Sequence, residues 1–290
     1  MSYLVDNAVI MAAGTSSRFA PLSYEKPKAL IEVRGEVLIE RQIRQLLEAG
    51  IRDVIVVTGY KAEQFGYLAD KFGVRLICNP EYLTRNNNGS LWAARDFLHN
   101  TYVCSSDNYF SENPFENVVG DSYYAAVYAD GETKEWCMTE DAAGYIDSVT
   151  VGGRNAWYML GHTFWNEEFS RRFLTILEKK YNLPETKNLL WESIFMSHLD
   201  ELKMRIRRYP DNVIYEFDTL DELREFDASY VNNTRSAILR SIAAGMGCTE
   251  ADIVNVRSFN SEDNAAAGIR FLAGGKEYSY TYETKILKEL

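Results

Sequence analysis

Ala12-Ala-Gly14-Thr-Ser-Ser-Arg18-Phe-Ala-Pro21-Leu-Ser-Tyr-Glu-Lys-Pro27-Lys28-Ala-Leu30 follows directly on the apolar run Ala8–Ala12. A short apolar run that ends in a glycine-containing loop is the pattern of a buried parallel strand meeting the ligand edge of its sheet. The small residues Ala12, Ala13, Gly14, Thr15 and Ser16 let backbone N–H groups approach phosphates without obstruction. Arg18 and Lys28 add fixed positive charge, and Pro21 and Pro27 stiffen the connection that presents them. Phosphoryl-type transfer depends on positioning and charge stabilisation, so such a loop suits a triphosphate. It contains neither GxxxxGK[ST] nor GxGxxG, which excludes a P-loop and a dinucleotide fingerprint. A tight connection without a ligand would not need the ordered Arg and Pro-Lys.

Outward from the loop, strands and helices alternate. Ile39, Ile43, Leu46 and Leu47 have helical spacing, with Gly50 placed to end the helix. Val54–Thr58, Val74–Cys78 and Tyr102–Ser105 read as strands, with helices expected over Glu63–Lys71 and Ser90–Leu98. Repeated units of this kind predict an α/β fold, a Rossmann-like mixed and mainly parallel sheet flanked by helices. From Tyr123 the pattern predicts four strands, Tyr123–Ala129, Glu135–Thr139, Ile146–Val151 and Trp157–Phe164. Helices are expected at Glu167–Lys180, Lys187–Leu199 and Thr219–Tyr230. Asn232–Asn233 reads as a boundary between a domain 1–231 and a small α+β appendage 234–290. The appendage is expected to hold a helix over Ser236–Gly245 and strands at Val254–Phe259, Gly268–Leu272 and Glu277–Thr281.

Asp107 ends the strand Tyr102-Val-Cys-Ser-Ser, at the ligand edge. A carboxylate there suits Mg2+, which takes hard oxygen ligands, although a turn-forming Asp-Asn pair is the rival reading. Asp218, after Ile214-Tyr-Glu-Phe, is the candidate second carboxylate, with capping of the following helix as its alternative role. Strand alternation places Glu216 on the same face as Asp218. In Arg85-Asn-Asn-Asn-Gly-Ser90, amide and hydroxyl groups at a helix start can read a base edge, or simply form a capped polar loop.

Composition limits the partners. The net charge is −11, which excludes a basic footprint for a nucleic acid polymer but not binding of a single nucleotide. The four cysteines form no CxxC pair, and no apolar run approaches the ~20 residues that span a bilayer. A cytoplasmic protein without disulfides or membrane insertion is therefore expected; oligomeric state is not readable. His99, His162 and His198 are isolated and receive no catalytic role.

The Ala12–Leu30 signature resembles that of the nucleoside-triphosphate transferase family, which includes sugar-1-phosphate nucleotidylyltransferases. The family pattern has a second glycine where this chain has Ser16. Tyr102–Phe110, Glu135-Trp136-Cys137, Val151-Gly-Gly, Trp191-Glu192 and Ile214–Asp218 narrow the likeness. Over residues 7–231 the chain resembles the bacterial CTP:phosphocholine cytidylyltransferases. That resemblance implies the nucleotide-diphospho-sugar transferase type of fold. It also implies CMP transfer from CTP to phosphocholine, giving CDP-choline and pyrophosphate by direct in-line attack. Asp107 and Asp218 would then hold Mg2+, Arg18 and Lys28 the phosphates, Asn87 and Ser90 the cytosine region, and Trp136 the choline head. A quaternary ammonium cannot donate hydrogen bonds, so aromatic faces and carboxylates must hold it. Trp136, Trp191, Glu192, Tyr215 and Glu216 supply that chemistry, each Trp having core packing as its alternative. Where the family has an aspartate after the second tryptophan and a tyrosine before it, this chain has Glu192 and Leu190. Activation of 2-aminoethylphosphonate, a hexose-1-phosphate nucleotidyltransferase and a non-catalytic nucleotide sensor are the competing readings.

In the appendage, Cys248–Ile253 and Gly275–Tyr280 resemble the opening of a choline-kinase-type domain, and the loop Asn260–Gly268 lacks the usual pattern. Residues 234–290 are too few for a kinase. A remnant, a piece of a longer protein, or an unrelated helix-and-hairpin cap are the expectations.

Overall fold

The computed structural model describes residues 2–261 and 266–290. Contacts divide the chain into two compact units, Met1–Gly14 with Ile39–Glu216 and Thr15–Leu38 with Phe217–Leu290. The expected division at 231–234 follows chain order. The compact units do not, because the loop 15–38 groups with the C-terminal residues.

The first unit is built on a seven-stranded sheet. Its order is Arg205–Tyr209, Tyr123–Glu140, Ile146–Trp165, Thr101–Ser105, Asn7–Ala12, Val54–Thr58 and Arg75–Cys78. Four of the six neighbouring pairs are parallel and two antiparallel, so the sheet is mixed and mainly parallel, as expected. Ala8–Ile10 and Val54–Val57 are buried along their whole length. Helices on both faces explain why these strands read as continuous apolar runs rather than alternating ones. The helix Leu38–Glu48 buries Ile39, Ile43 and Leu46, and Gly50 leads the chain away at φ 87°.

Two expectations change in the middle of the chain. The four strands read between Tyr123 and Phe164 are two long antiparallel ones, Tyr123–Glu140 and Ile146–Trp165. Register shifts between Ala129 and Glu132, and between Thr133 and Trp136, break the alternation that sequence shows as strand ends. The helices read over Glu63–Lys71, Ser90–Leu98 and Lys187–Leu199 shrink to Tyr67–Phe72, Asn88–Ala93 and Trp191–Met196, with 3-10 turns before or after. Glu167–Lys180 forms as expected, its first turn capped by Asn166, whose side chain accepts from the Phe169 N–H at 2.9 Å.

The edge strand Arg205–Tyr209 carries three arginines, each with a carboxylate partner. Arg205 meets Asp121 at 3.1 Å, Arg207 meets Glu116 at 2.9 Å and Arg208 meets Glu140 at 2.8 Å. His162 is packed among Tyr102, Phe110, Phe115 and Tyr123. Burial, then Arg207, pushes its pKa down to about 3, so it is a neutral core group.

In the second unit the expected helix Thr219–Tyr230 is split into Leu220–Phe226 and Ser229–Asn232. Asp227 breaks it: its carboxylate accepts from the Ser229 N–H and hydroxyl and from the Arg34 N–H. Helix Ala237–Met246 precedes an antiparallel sheet ordered Val254–Asn260, Ala266–Ala273, Lys276–Thr281 and Leu287–Glu289. Gly274 and Gly275, at φ 56° and 78°, make the two-residue hairpin between the second and third strands. The fourth strand was not expected; three exposed residues give no alternation to read. Within Asn260–Gly268, residues 262–265 lie outside the described residues. Among the described residues no helix is long and apolar enough to cross a membrane, and all four cysteines are unbridged.

Candidate active site

Of the expected site residues, Thr15, Ser16, Arg18, Lys28 and Asp218 belong to the second unit and the others to the first. In the first unit Ala12 and Ala13 are buried at the carboxyl end of a central strand, and Gly14 is exposed. The Ala13 carbonyl accepts from the Tyr60 N–H at 3.0 Å. Gly59 passes so close that a Cβ there would lie 2.9 Å from the Ala13 oxygen and 2.7 Å from the Tyr82 Cβ.

Asp107 is half-buried in the turn between strands Thr101–Ser105 and Asn108–Phe110. Gln42, fully buried on the helix Leu38–Glu48, donates through Nε2 to the carbonyls of Ser105 at 2.8 Å and Asn108 at 3.3 Å. One amide therefore clamps both sides of the aspartate. Sequence reading missed Gln42; a polar residue inside an otherwise apolar helical stripe was the available signal.

A second group gathers around Glu192. Asn87 donates from Nδ2 to Glu192 Oε2 at 3.0 Å and accepts the Trp191 N–H on Oδ1 at 2.7 Å. It thereby caps the short helix Trp191–Met196, whose own preceding residue, Leu190, cannot. Its neighbours hold the same stretch: the Asn86 N–H donates to the Lys187 carbonyl at 2.8 Å, and Asn88 Nδ2 to that of Thr186 at 2.9 Å. Both ends of the Asn87 amide are thus engaged by protein. Ser90 is buried, its hydroxyl accepting from Asn79 Nδ2 at 3.3 Å. The pair expected at the cytosine is bonded within this internal network.

Tyr124, which the sequence did not single out, donates from its hydroxyl to Glu192 Oε1 at 3.4 Å and stacks on Trp191 at 5.7 Å. Trp191 is 1% exposed and meets Trp165, Phe173 and Phe195, so its ring is part of the core. Trp136 is half-buried against the same core. Burial raises the Glu192 carboxyl to about 7, with the Asn87 and Tyr124 hydrogen bonds acting against that rise. Burial, followed by Glu192 and Glu216, lifts Tyr124 well above its ordinary value. Tyr158 is raised in the same way by burial, Glu135 and Glu216. Glu216 also accepts from Asn108 Nδ2 at 3.3 Å, and Tyr215 stands edge-on to Tyr109. Three carboxylates thus bear on two phenols, Tyr124 buried and Tyr158 half-buried. Even so, no group of three His, Cys, Asp or Glu among the described residues is close enough to hold a metal ion.

In the second unit Ser16 sits at φ 49°, ψ 48°, in the left-handed region, and starts the 3-10 turn Ser17–Phe19. The family glycine at this position therefore has a backbone reason, and serine adopts the same conformation at a cost of about 1 kcal/mol. Arg18 hydrogen-bonds Asp218, and Lys28, 5% exposed, lies 4.0 Å from the other carboxylate oxygen and over the Phe19 ring. Asp218 thus holds the two cations together, so that the buried lysine is paired.

Comparison with known proteins places the chain among transferases of nucleotides. The MobA-like NTP transferase domain family matches residues 8–128. A choline-phosphate cytidylyltransferase from Streptococcus pneumoniae is 34% identical over 220 residues, 76% of this chain and 96% of that protein. A 2-aminoethylphosphonate cytidylyltransferase from Lancefieldella rimae is 35% identical over 234 residues, 79% of this chain and 95% of that protein. The solved structure of the Streptococcus pneumoniae CTP:phosphocholine cytidylyltransferase superposes with a TM-score of 0.74 at 34% identity, covering 78% of this chain and 99% of the other. A putative glucose-1-phosphate thymidylyltransferase from Bacillus anthracis shares the fold at 16% identity, with a TM-score of 0.63 over 78% of this chain and 95% of that one.

Proposed function

The chain belongs to the cytidylyltransferases of the MobA-like NTP transferase type, and from that premise we propose that it transfers CMP from CTP to phosphocholine, giving CDP-choline and pyrophosphate. It is a nucleotidyltransferase; the choice of acceptor rests on one observation. Glu192 and Glu216 act on Tyr124, and Glu135 and Glu216 on Tyr158, an acidic and aromatic environment that suits a cationic amine.

In this reading a phosphocholine oxygen, already anionic near neutral pH, attacks the α-phosphorus of CTP in line, and pyrophosphate leaves. No protein nucleophile is required. Arg18 and Lys28 offset charge on the triphosphate, and the loop from Ala12 to Ser16 offers it backbone N–H groups. Asn87 and Ser90 act on the cytosine side by shaping the segment, since their polar groups are already bonded. Asp107 and Asp218 would be carboxylate ligands for Mg2+, a cation that takes one or two carboxylates plus phosphate oxygens. When bound, Mg2+ supplies neutralisation of phosphate charge. The partners are small molecules, CTP and a phosphorylated amino alcohol.

The second reading is 2-aminoethylphosphonate as acceptor. The buried, hydrogen-bonded Glu192 favours it, because a primary ammonium seeks acceptors rather than aromatic faces alone. Pyrophosphate release with CTP, UTP, dTTP or ATP against phosphocholine, aminoethylphosphonate and glucose-1-phosphate separates these outcomes. Fastest turnover of CTP with phosphocholine is expected. The aminoethylphosphonate or glucose-1-phosphate arm leading would overturn the acceptor, and no turnover with any pair would leave a nucleotide sensor. Asp107→Ala should cut the rate by about a hundredfold or more in a folded protein.

A further inference from the structure

The loop that carries Arg18 and Lys28 is fastened, inside its own compact unit, to the residues beyond 233. Glu25 Oε1 accepts from the N–H groups of Ala237 at 2.8 Å and Ile238 at 3.1 Å, the first two residues of helix Ala237–Met246. The Ser236 hydroxyl takes the third, from Leu239, at 3.1 Å. A helix start leaves such N–H groups without partners in its own backbone, and a negative charge there also meets the positive end of the helix dipole. A self-contained appendage would satisfy its own helix start. Here two of these three donors depend on residue 25.

The neighbouring residue makes the second attachment. Tyr24 stacks face to face on Tyr282, with ring centres 3.9 Å apart and planes at 19°. Further along, the Tyr230 hydroxyl donates to the Glu32 carbonyl at 2.6 Å. Tyr24 and Glu25 lie between Arg18 and Lys28, so the anchored point sits inside the stretch that presents both cations.

We infer that residues 234–290 work as a positioning element of the transferase, holding the triphosphate loop through Glu25 and Tyr24. Glu25 is a positioning residue, since its carboxylate binds the helix start. The inference rests on the reading of Ala12–Leu30 as the CTP loop.

The test uses the full chain with Glu25→Ala, Glu25→Gln and Tyr282→Ala. Glu25→Ala should raise the KM for CTP by about tenfold, the scale of a lost charge-assisted anchor, and leave the KM for phosphocholine within about twofold. Glu25→Gln, whose carbonyl can still accept both N–H groups, should recover most of the difference. Hydrogen exchange over residues 15–38 should quicken in Glu25→Ala and Tyr282→Ala, without any need for turnover. Unchanged exchange in both variants overturns the inference, as does a lowered melting temperature with an unaltered KM for CTP. A wild-type chain inactive with CTP would sink the functional reading alone, and the exchange arm would still decide this one. If Glu25→Ala does not fold, Tyr282→Ala decides.

Discussion

Replacing Glu192 by Gln should make the protein more stable and less active. In the folded chain burial raises this carboxyl from 4.5 to about 7. At 1.36 kcal/mol per pH unit, ionising it inside the fold costs about 3 kcal/mol more than ionising it in water. The sign follows from the proton count. Below pH 4.5 both folded and unfolded forms are protonated and nothing is lost. Between 4.5 and 7 the folded form keeps a proton that the unfolded form releases, so stability falls as pH rises. Above 7 the full cost applies. Gln keeps an acceptor for Asn87 Nδ2 and a group for the Tyr124 hydroxyl, so the network survives the change. At pH 8 the variant should melt about 5–10 °C higher than wild type, the gain shrinking to nothing near pH 4.5. A substrate ammonium would meanwhile lose its charged partner, and the KM for phosphocholine should rise about tenfold or more while that for CTP stays. Melting curves from pH 4.5 to 8, with initial rates for each substrate, decide the matter. A variant no more stable at pH 8 would refute the buried charge. One that is more stable yet fully active would refute its contact with substrate.

Ser16→Gly should relieve the left-handed strain without loss of transfer activity, the net stability change lying within about 1 kcal/mol because glycine also loosens the unfolded chain; a large activity loss would show that the serine hydroxyl itself is used. Gln42→Leu should lower kcat by about tenfold and leave both KM values nearly unchanged, since it frees the turn around Asp107. Steady-state kinetics at saturating magnesium checks this. Gly59→Ala should destabilise by about 1–3 kcal/mol in chemical denaturation, because the added carbon meets the Ala13 oxygen and Tyr82 below van der Waals distance.

What could be read from sequence was whatever the local pattern decides. The parallel strands around Val9 and Val56 are buried on both faces, so they announce themselves as unbroken apolar runs. The anion loop and Asp107 are local too, one a composition of small and cationic residues, the other the end of a strand. The rest depends on residues far apart in the chain. Asn87 reads in sequence as a base-reading amide or part of a capped loop, and its bonds to Trp191 and Glu192, over a hundred residues away, are not legible there. Trp191 and Trp136 are equal in sequence, yet one is enclosed by Trp165 and Phe195 and the other half-buried. Helical spacing could not show that Gln42 reaches two carbonyls of a strand turn. Nor could chain order show that residues 15–38 pack with those beyond 216.

The arginine-bearing edge strand Arg205–Tyr209 has a consequence for how the protein behaves at high concentration. A seven-stranded sheet ends in rows of unpaired N–H and C=O groups, which invite a strand from another molecule. On this border three of the five side chains are guanidinium groups already committed to Asp121, Glu116 or Glu140. An incoming strand would have to displace those ion pairs and bury the charges, so the sheet discourages its own extension. Neutralising Arg207 and Arg208 together would remove that guard and should favour aggregation before any loss of fold.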